Sequence, residues 1–281
     1  MQACASALGL TDPNDFALVR SGPTSNFVVP NNGMTGGSST SEITCKSVMQ
    51  ACSVLVERLK PYRDPVSSGG KGLAWREAVT AAWSDHVNLS AQGWFAPPAA
   101  VPSLAFSFNY FVYASAVTMV EVDLLTGQAQ VLRTDIVYDC GNSLNPMIDV
   151  GQIEGAMVMG IGTWLTEETT YDENSGKLTS NGTWDYKPPC SKDIPLELNV
   201  TLLKDNPNVE GILGSKATAE PPMILTNSVY FAVRRCIELG RLENGLAPKN
   251  AGTFELDAPA TAERVVALVG SDPMKDFVLE L

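Results

Sequence analysis

A single histidine, His86, stands in 281 residues. A multi-histidine metal centre is therefore excluded, and a Ser-His-Asp triad has one candidate base. The cysteines are Cys4, Cys45, Cys52, Cys140, Cys190 and Cys236, and none forms a C-x-x-C pair. That argues against structural zinc and against clusters held by local cysteine spacing. The number is ordinary for a cytoplasmic protein with free thiols, the expected location. Basic side chains are scarce, 19 Lys and Arg against 31 Asp and Glu, for a net charge of −12. Nucleic acid and anionic membrane are excluded as partners, since both need a surplus of positive charge. A membrane span needs ~20 apolar residues, and the longest mainly apolar run, Gly155–Leu165, falls well short. The opening MQACASALGLTD lacks the charged start and apolar centre of a secretion signal. The sequons at Asn88, Asn181 and Asn199 then read as chance matches.

What is present is a foldable chain, 44% apolar and 18% charged. Its length corresponds to roughly two domains at ~150 residues each. Residues 1–9 read as a helix ending near Gly9, and residues 41–60 as a helix with the stripe Val48, Cys52, Leu55 and Leu59, ended by Pro61. Ser39 and Glu42 have capping-box spacing. Residues 64–71 read as a surface loop, and 74–83 as weakly helical. The stretch from Phe106 to Asp123 alternates like a strand, turns at Leu125-Thr126-Gly127 and pairs with 129–138 as a hairpin. Helices follow at 146–165, 223–241 and within 259–270, and strands at 178–187, 195–204 and 209–216. Strands and helices mix without a β-α-β beat, so the class is α+β. The expected split lies near 100–105, giving parts 1–103 and 104–281.

Three segments carry chemistry. In Thr35-Gly36-Gly37-Ser38-Ser39-Thr40, small residues and hydroxyls precede a helix N-terminus, the recipe for holding an anion such as phosphate. An ordinary capped Gly-Ser loop is the alternative. In the second, Asn145 and Pro146 suit N-cap and N1, and Gly151, Gly155, Gly160 and Gly162 follow within the helix. Each helical glycine costs about 1 kcal/mol against alanine. Tight helix packing or close approach of a cofactor explains such a cost, and the amide of Gln152 sits within reach of a polar ligand. In the third, GSKATAEPP, Glu220 precedes two prolines and should be extended. It is held beside a helix start, which suits a proton acceptor or a carboxylate that merely serves the dipole. His86 reads as structural, and the Trp94-Phe95 pair as packing.

In order and spelling, LRTDIVYDCGNSLNPMIDVGQIEGAMVMGIG, GTWDYK and GSKATAEPP resemble the C-terminal part of the molybdenum hydroxylases, the xanthine dehydrogenase and aldehyde oxidase family. MTGGSSTSE and the opening MQ extend the likeness upstream, and PATAERV extends it downstream, so it covers essentially the whole chain. YDCGNSLNP and GTWDYK lean slightly toward aldehyde oxidases. The resemblance implies the second molybdopterin-binding region. It implies that Gln2, Gly36, Gly37, Ser38, Ser39, Thr40 and Gln152 line molybdenum–molybdopterin and that Glu220 is the catalytic base. The metal takes no protein ligand, being held by the pterin. The implied reaction hydroxylates an aldehyde or N-heterocycle such as a purine with oxygen derived from water. Electrons then pass to iron–sulfur clusters and FAD on domains this sequence lacks, in an enzyme that is a homodimer when complete. Ala219 departs from the family's glycine and would shift the base if that position needed positive φ. Cys190 and Ser191 also replace a larger residue. Competing expectations are a non-catalytic remnant or inactive fragment, and a hydrolase built on His86 with Ser84 or Ser90.

Overall fold

The computed structural model describes residues 1–23, 25, 27, 29, 36–96 and 110–270. The described chain is α+β and resolves into two units. The first comprises 1–111 with the excursions 141–144 and 207–216, and the second comprises 112–140, 145–206 and 217–281. The split expected near 100–105 lies outside the described residues, as does Thr35.

The first unit is helical: α1 (Gln2–Leu8), α2 (Pro13–Phe16), α3 (Thr40–Arg63) and α4 (Trp75–Ser84). Gly9, at φ 67°, stops α1 in the left-handed turn that glycine adopts without a Cβ penalty. Asp12 caps α2 by accepting from the Asn14 amide at 2.7 Å. The core between α3 and α4 is Leu59, Tyr62, Ala78 and Ala82. The Tyr62 hydroxyl donates to Asp85 at 2.9 Å.

Pro61 does not end α3. It sits in the last turn, where its missing N–H removes one bond, and the helix runs on to Arg63. The returning loop takes up the last carbonyls of the helix, which have no partner within it. Lys71 N donates to Pro61 O at 3.0 Å and Leu73 N to Tyr62 O at 2.9 Å.

The second unit is built on a three-stranded sheet ordered β1 (Ala114–Val122), β2 (Ala129–Tyr138), β3 (Glu197–Leu202). β1 and β2 form the expected antiparallel hairpin, with a register shift between Met119 and Val120, and β3 runs parallel to β2. One face of β2 is covered by α5 (Pro146–Leu165) and α6 (Asn227–Glu243). Val131, Ile136, Tyr138, Ile153, Met157, Ile161 and Val229 make that core. A second cluster, Val233, Ile237, Leu256, Val265 and Val269, joins α6 to α8 (Ala262–Val269), beyond the short α7 (Pro248–Ala251).

Two expected strands are absent as such. Residues 178–187 contribute only a bridge between Tyr171 and Leu178. Residues 209–216 hold a 3₁₀ turn at Ile212–Gly214, which gives way to a bridge from Ser215 to Gly141. The helix expected at 223–241 is a 3₁₀ segment, Pro221–Thr226, leading into α6. The two prolines are tolerated at the first positions of that segment because amides there have no partner within the helix.

Candidate functional site

In the first unit, Gln2 opens α1 and its Nε2 donates to the Leu144 carbonyl at 2.7 Å. That carbonyl belongs to the excursion 141–144, fixed by the Asn142 amide donating to Gly214 O at 2.8 Å. Gly141 is required there. Its φ is +63°, and a Cβ would lie 2.2 Å from the Gly214 carbonyl oxygen. A bond within the first unit thus holds the side chain of Gln2.

The turn before α3 takes left-handed backbone at two successive residues, Gly37 (φ 63°) and Ser38 (φ 52°). Nothing lies within 4 Å of the place a Gly37 Cβ would occupy. The expected capping box does not form. The Ser39 hydroxyl donates backward to Gly36 O at 2.9 Å, closing the turn on itself. Glu42 instead accepts from the Tyr110 hydroxyl. Thr40 begins the helix and is exposed.

In the second unit, α5 starts as its sequence dictates. The Asn145 side chain accepts from the Ile148 amide at 3.4 Å and Pro146 follows at N1. The four glycines of α5 separate into two pairs. A Cβ at Gly160 would meet Thr226 at 2.4 Å, and one at Gly162 would meet Pro189 at 2.6 Å. At Gly151 and Gly155 nothing lies within 4 Å. Helix packing therefore accounts for Gly160 and Gly162 and leaves Gly151 and Gly155 unexplained. That pair lies one turn apart on an open face with Gln152. Gln152 is exposed, and Ile148 and Met159 on the same helix are 60% and 63% exposed.

Glu220 is not extended as its place before proline predicts. Its backbone is αR (φ −84°, ψ −39°) because its carbonyl accepts the Met223 amide at 3.1 Å and opens the 3₁₀ turn. That 3₁₀ segment packs on α5, and the Glu220 side chain is exposed. Two bonds fix the approach to it. The buried Tyr138 donates its hydroxyl to Ala217 O at 2.8 Å, and the Thr218 hydroxyl donates to Asp149 on α5 at 3.2 Å. Ala219 has no positive φ, so its methyl group imposes no strain.

Within the second unit, then, Gln152 and Glu220 lie on two elements packed together. Within the first, Gln2 lies on α1, and Gly36–Thr40 lead into α3, the helix on which α1 packs. Sequence reading did not foresee the Tyr138 and Thr218 bonds. Tyr138 carried the one available signal, a polar tip at an inward β position.

The Ser84 side of the hydrolase alternative is occupied elsewhere. The Ser84 hydroxyl donates to Thr80 O within α4, and His86 is exposed with left-handed backbone. No group of three or more metal-ligating side chains occurs among the described residues, and no described helix is long and apolar enough to cross a membrane.

The model of the molybdopterin cofactor-binding domain family matches residues 1–195, which include Gly36–Thr40 and Gln152. An indole-3-acetaldehyde oxidase of Zea mays is 41% identical over 250 residues, covering 88% of this chain and 18% of that protein. The abscisic-aldehyde oxidase of Arabidopsis thaliana is 41% identical over 85% of this chain and 18% of its own length. The xanthine dehydrogenase/oxidase of Mus musculus is 39% identical over 86% and 18%. The chain thus spans less than a fifth of these relatives. Among solved structures, the aldehyde oxidoreductase of Desulfovibrio gigas shares the fold at TM-score 0.69 and 23% identity, over 96% of this chain and 27% of that one. Quinoline 2-oxidoreductase of Pseudomonas putida shares it at TM-score 0.66 and 24% identity, over 85% and 31%.

Proposed function

Because this chain belongs to the molybdopterin cofactor-binding domain family, we propose that it is the cofactor-binding part of a molybdenum hydroxylase acting on aldehydes or N-heterocycles. The family's cofactor is molybdenum–molybdopterin. The residues present fit such a group. Gly37, Gly151 and Gly155 each leave room where a side chain would stand, and α5 gives up helix propensity at two positions that no packing claims. That open glycine pair beside Gln152 is the observation that carries the reading.

In this reading Gln2, Gly36, Gly37, Ser38, Ser39, Thr40 and Gln152 face the molybdopterin. Backbone amides at the α3 start suit its phosphate, as helix N-termini do generally. The Gln152 amide offers both a donor and an acceptor to the pterin. When bound, the cofactor supplies two-electron oxidation of the substrate carbon. The chain's own contribution to the reaction is Glu220, which takes the proton from the attacking water-derived oxygen as a general base. Tyr138 and Asp149 hold the segment that leads to it. Iron–sulfur clusters and FAD belong to other parts of a longer, cytoplasmic, homodimeric enzyme.

Gly155→Leu tests this without relying on turnover. In a helix, leucine restores most of the propensity that glycine forfeits. The longer enzyme carrying Gly155→Leu is expected to hold less pterin and molybdenum per chain while its thermal midpoint stays level or rises. Full cofactor content in that variant would defeat the reading, and would favour a remnant that keeps the fold without the function.

A further inference from the structure

The sulfurs of Cys4 and Cys52 lie 3.7 Å apart, in van der Waals contact, where α1 packs on α3. Cys52 is 4% exposed, while Cys4 is half-buried. Neither belongs to the residues assigned above to the cofactor. We infer that Cys4 and Cys52 form a reversible disulfide that staples α1 to α3 when the protein meets hydrogen peroxide.

The order of steps follows from access. Cys4, the more open of the two, attacks the peroxide bond. Its sulfur gains one oxygen as a sulfenic acid, and the other oxygen leaves as water. The Cys52 sulfur then displaces the hydroxyl, which departs as a second water with the Cys52 proton. Two thiols lose two electrons in all, and one peroxide gains them. A dithiol reductant reverses the bond by exchange.

Burial, together with the hydrogen bond and charge of Cys4, pushes the Cys52 thiol up to about 12. Closure is therefore slow at neutral pH and quickens in alkali, because the thiolate is the attacking form.

The bond has leverage because α1 is only seven residues long. Helices of that length are marginal alone and persist by packing. Existing ties are the Arg63 guanidinium on Leu8 O at 2.9 Å and the Gln2 amide on Leu144 O at 2.7 Å. A crosslink between Cys4 and Cys52 also removes conformations from the unfolded chain.

The test uses the purified chain, hydrogen peroxide and non-reducing tryptic mass spectrometry. The expected product joins the peptide Met1–Arg20 to Ser47–Arg58, which separates Cys52 from Cys45. It forms faster in alkali than at neutral pH, disappears with dithiothreitol, and is absent from Cys4→Ser and Cys52→Ser. The oxidised wild type should melt higher than the reduced form, with no such rise in Cys4→Ser, whose half-buried position tolerates serine. Exposed Cys190 is the internal control. Oxidation of Cys190 with Cys4 and Cys52 left as thiols would overturn the inference. So would pairing of Cys4 with Cys45, or a crosslink that leaves the melting temperature unchanged.

Discussion

From a fully buried position at the end of β2, Tyr138 donates its hydroxyl to the Ala217 carbonyl at 2.8 Å. This bond couples the sheet to the segment that delivers Glu220. Tyr138→Phe keeps the ring's packing and removes the bond. The expected cost is about 1 kcal/mol, with more if the carbonyl is left dry. Denaturant titration measures it. Amide exchange should also rise selectively at 217–220. Unchanged exchange there would mean that the 3₁₀ segment and α5 alone position the base.

The two glycine pairs of α5 predict opposite signs for one substitution. Gly160→Ala drives a methyl to 2.4 Å from Thr226, whose hydroxyl also accepts from the Trp164 indole at 2.8 Å. Overpacking of this kind costs roughly 1–3 kcal/mol. Gly155→Ala meets nothing within 4 Å and should stabilise by up to about 1 kcal/mol through helix propensity. Thermal or denaturant unfolding of the two variants side by side decides it. Equal destabilisation would show that the open face is covered in solution.

Local chemistry made much of this legible in advance. The hairpin 114–138 was announced by alternation and a Leu-Thr-Gly turn, and α5 by Asn145-Pro146. What escaped was set by contacts distant in sequence. Pro61 looked like a stop, yet α3 runs on to Arg63 because its last carbonyls, those of Pro61 and Tyr62, are taken up by the distant amides of Lys71 and Leu73. The stretch 178–187 was expected to be a strand, yet the Asp185 and Tyr186 amides donate back to Gly182 O at 3.1 and 2.9 Å and curl it into a turn. Glu220 was expected to be extended from the proline rule, which a 3₁₀ turn anchored on α5 overrode. The glycines of α5 were legible as a set. Only the partners of Gly160 and Gly162 told the packed pair from the open one.

Stability should fall at both ends of the pH scale for different groups. The Arg133 guanidinium, helped by the Asn199 amide, holds Asp135 below the usual carboxylate range. The Ser175 hydroxyl and amide do the same for Asp172, and the Leu125 amide and Thr126 for Asp123. A carboxylate depressed on folding stabilises above its unfolded pKa of ~3.9 and loses that contribution as pH drops through the folded value. Burial raises the Cys140 and Cys236 thiols, with Asp149 adding to Cys140. Their contribution is full below the unfolded thiol pKa of ~8.5 and is lost as pH climbs through the raised values. Melting temperature against pH should therefore be flat across neutrality and fall on either side. Asp135→Asn should shallow the acid limb alone. An acid limb unchanged in Asp135→Asn, Asp172→Asn and Asp123→Asn together would assign acid sensitivity elsewhere.

Glu220→Gln separates chemistry from cofactor binding. Glutamine keeps the size of the side chain and its hydrogen-bonding reach but cannot serve as the proton acceptor. Its backbone role is also preserved, since the bond from Met223 goes to the main-chain carbonyl at 3.1 Å. The longer enzyme carrying this variant should retain its pterin and molybdenum and its melting temperature. Its turnover should drop by about 10²–10⁴-fold, the usual worth of a positioned general base. Metal analysis and steady-state assay on one preparation measure the two effects independently. Asp149 and Glu154 are the nearest acidic alternatives in the sequence of α5. Asp149 already accepts the Thr218 hydroxyl at 3.2 Å, which suits an anchor for the Glu220 segment. Asp149→Asn should therefore keep most of the turnover, because an amide oxygen still accepts that hydroxyl. If Glu220→Gln turned over at near wild-type rates while Asp149→Asn were dead, the base would be Asp149, and the packing of the 3₁₀ segment on α5 would serve to orient that residue instead.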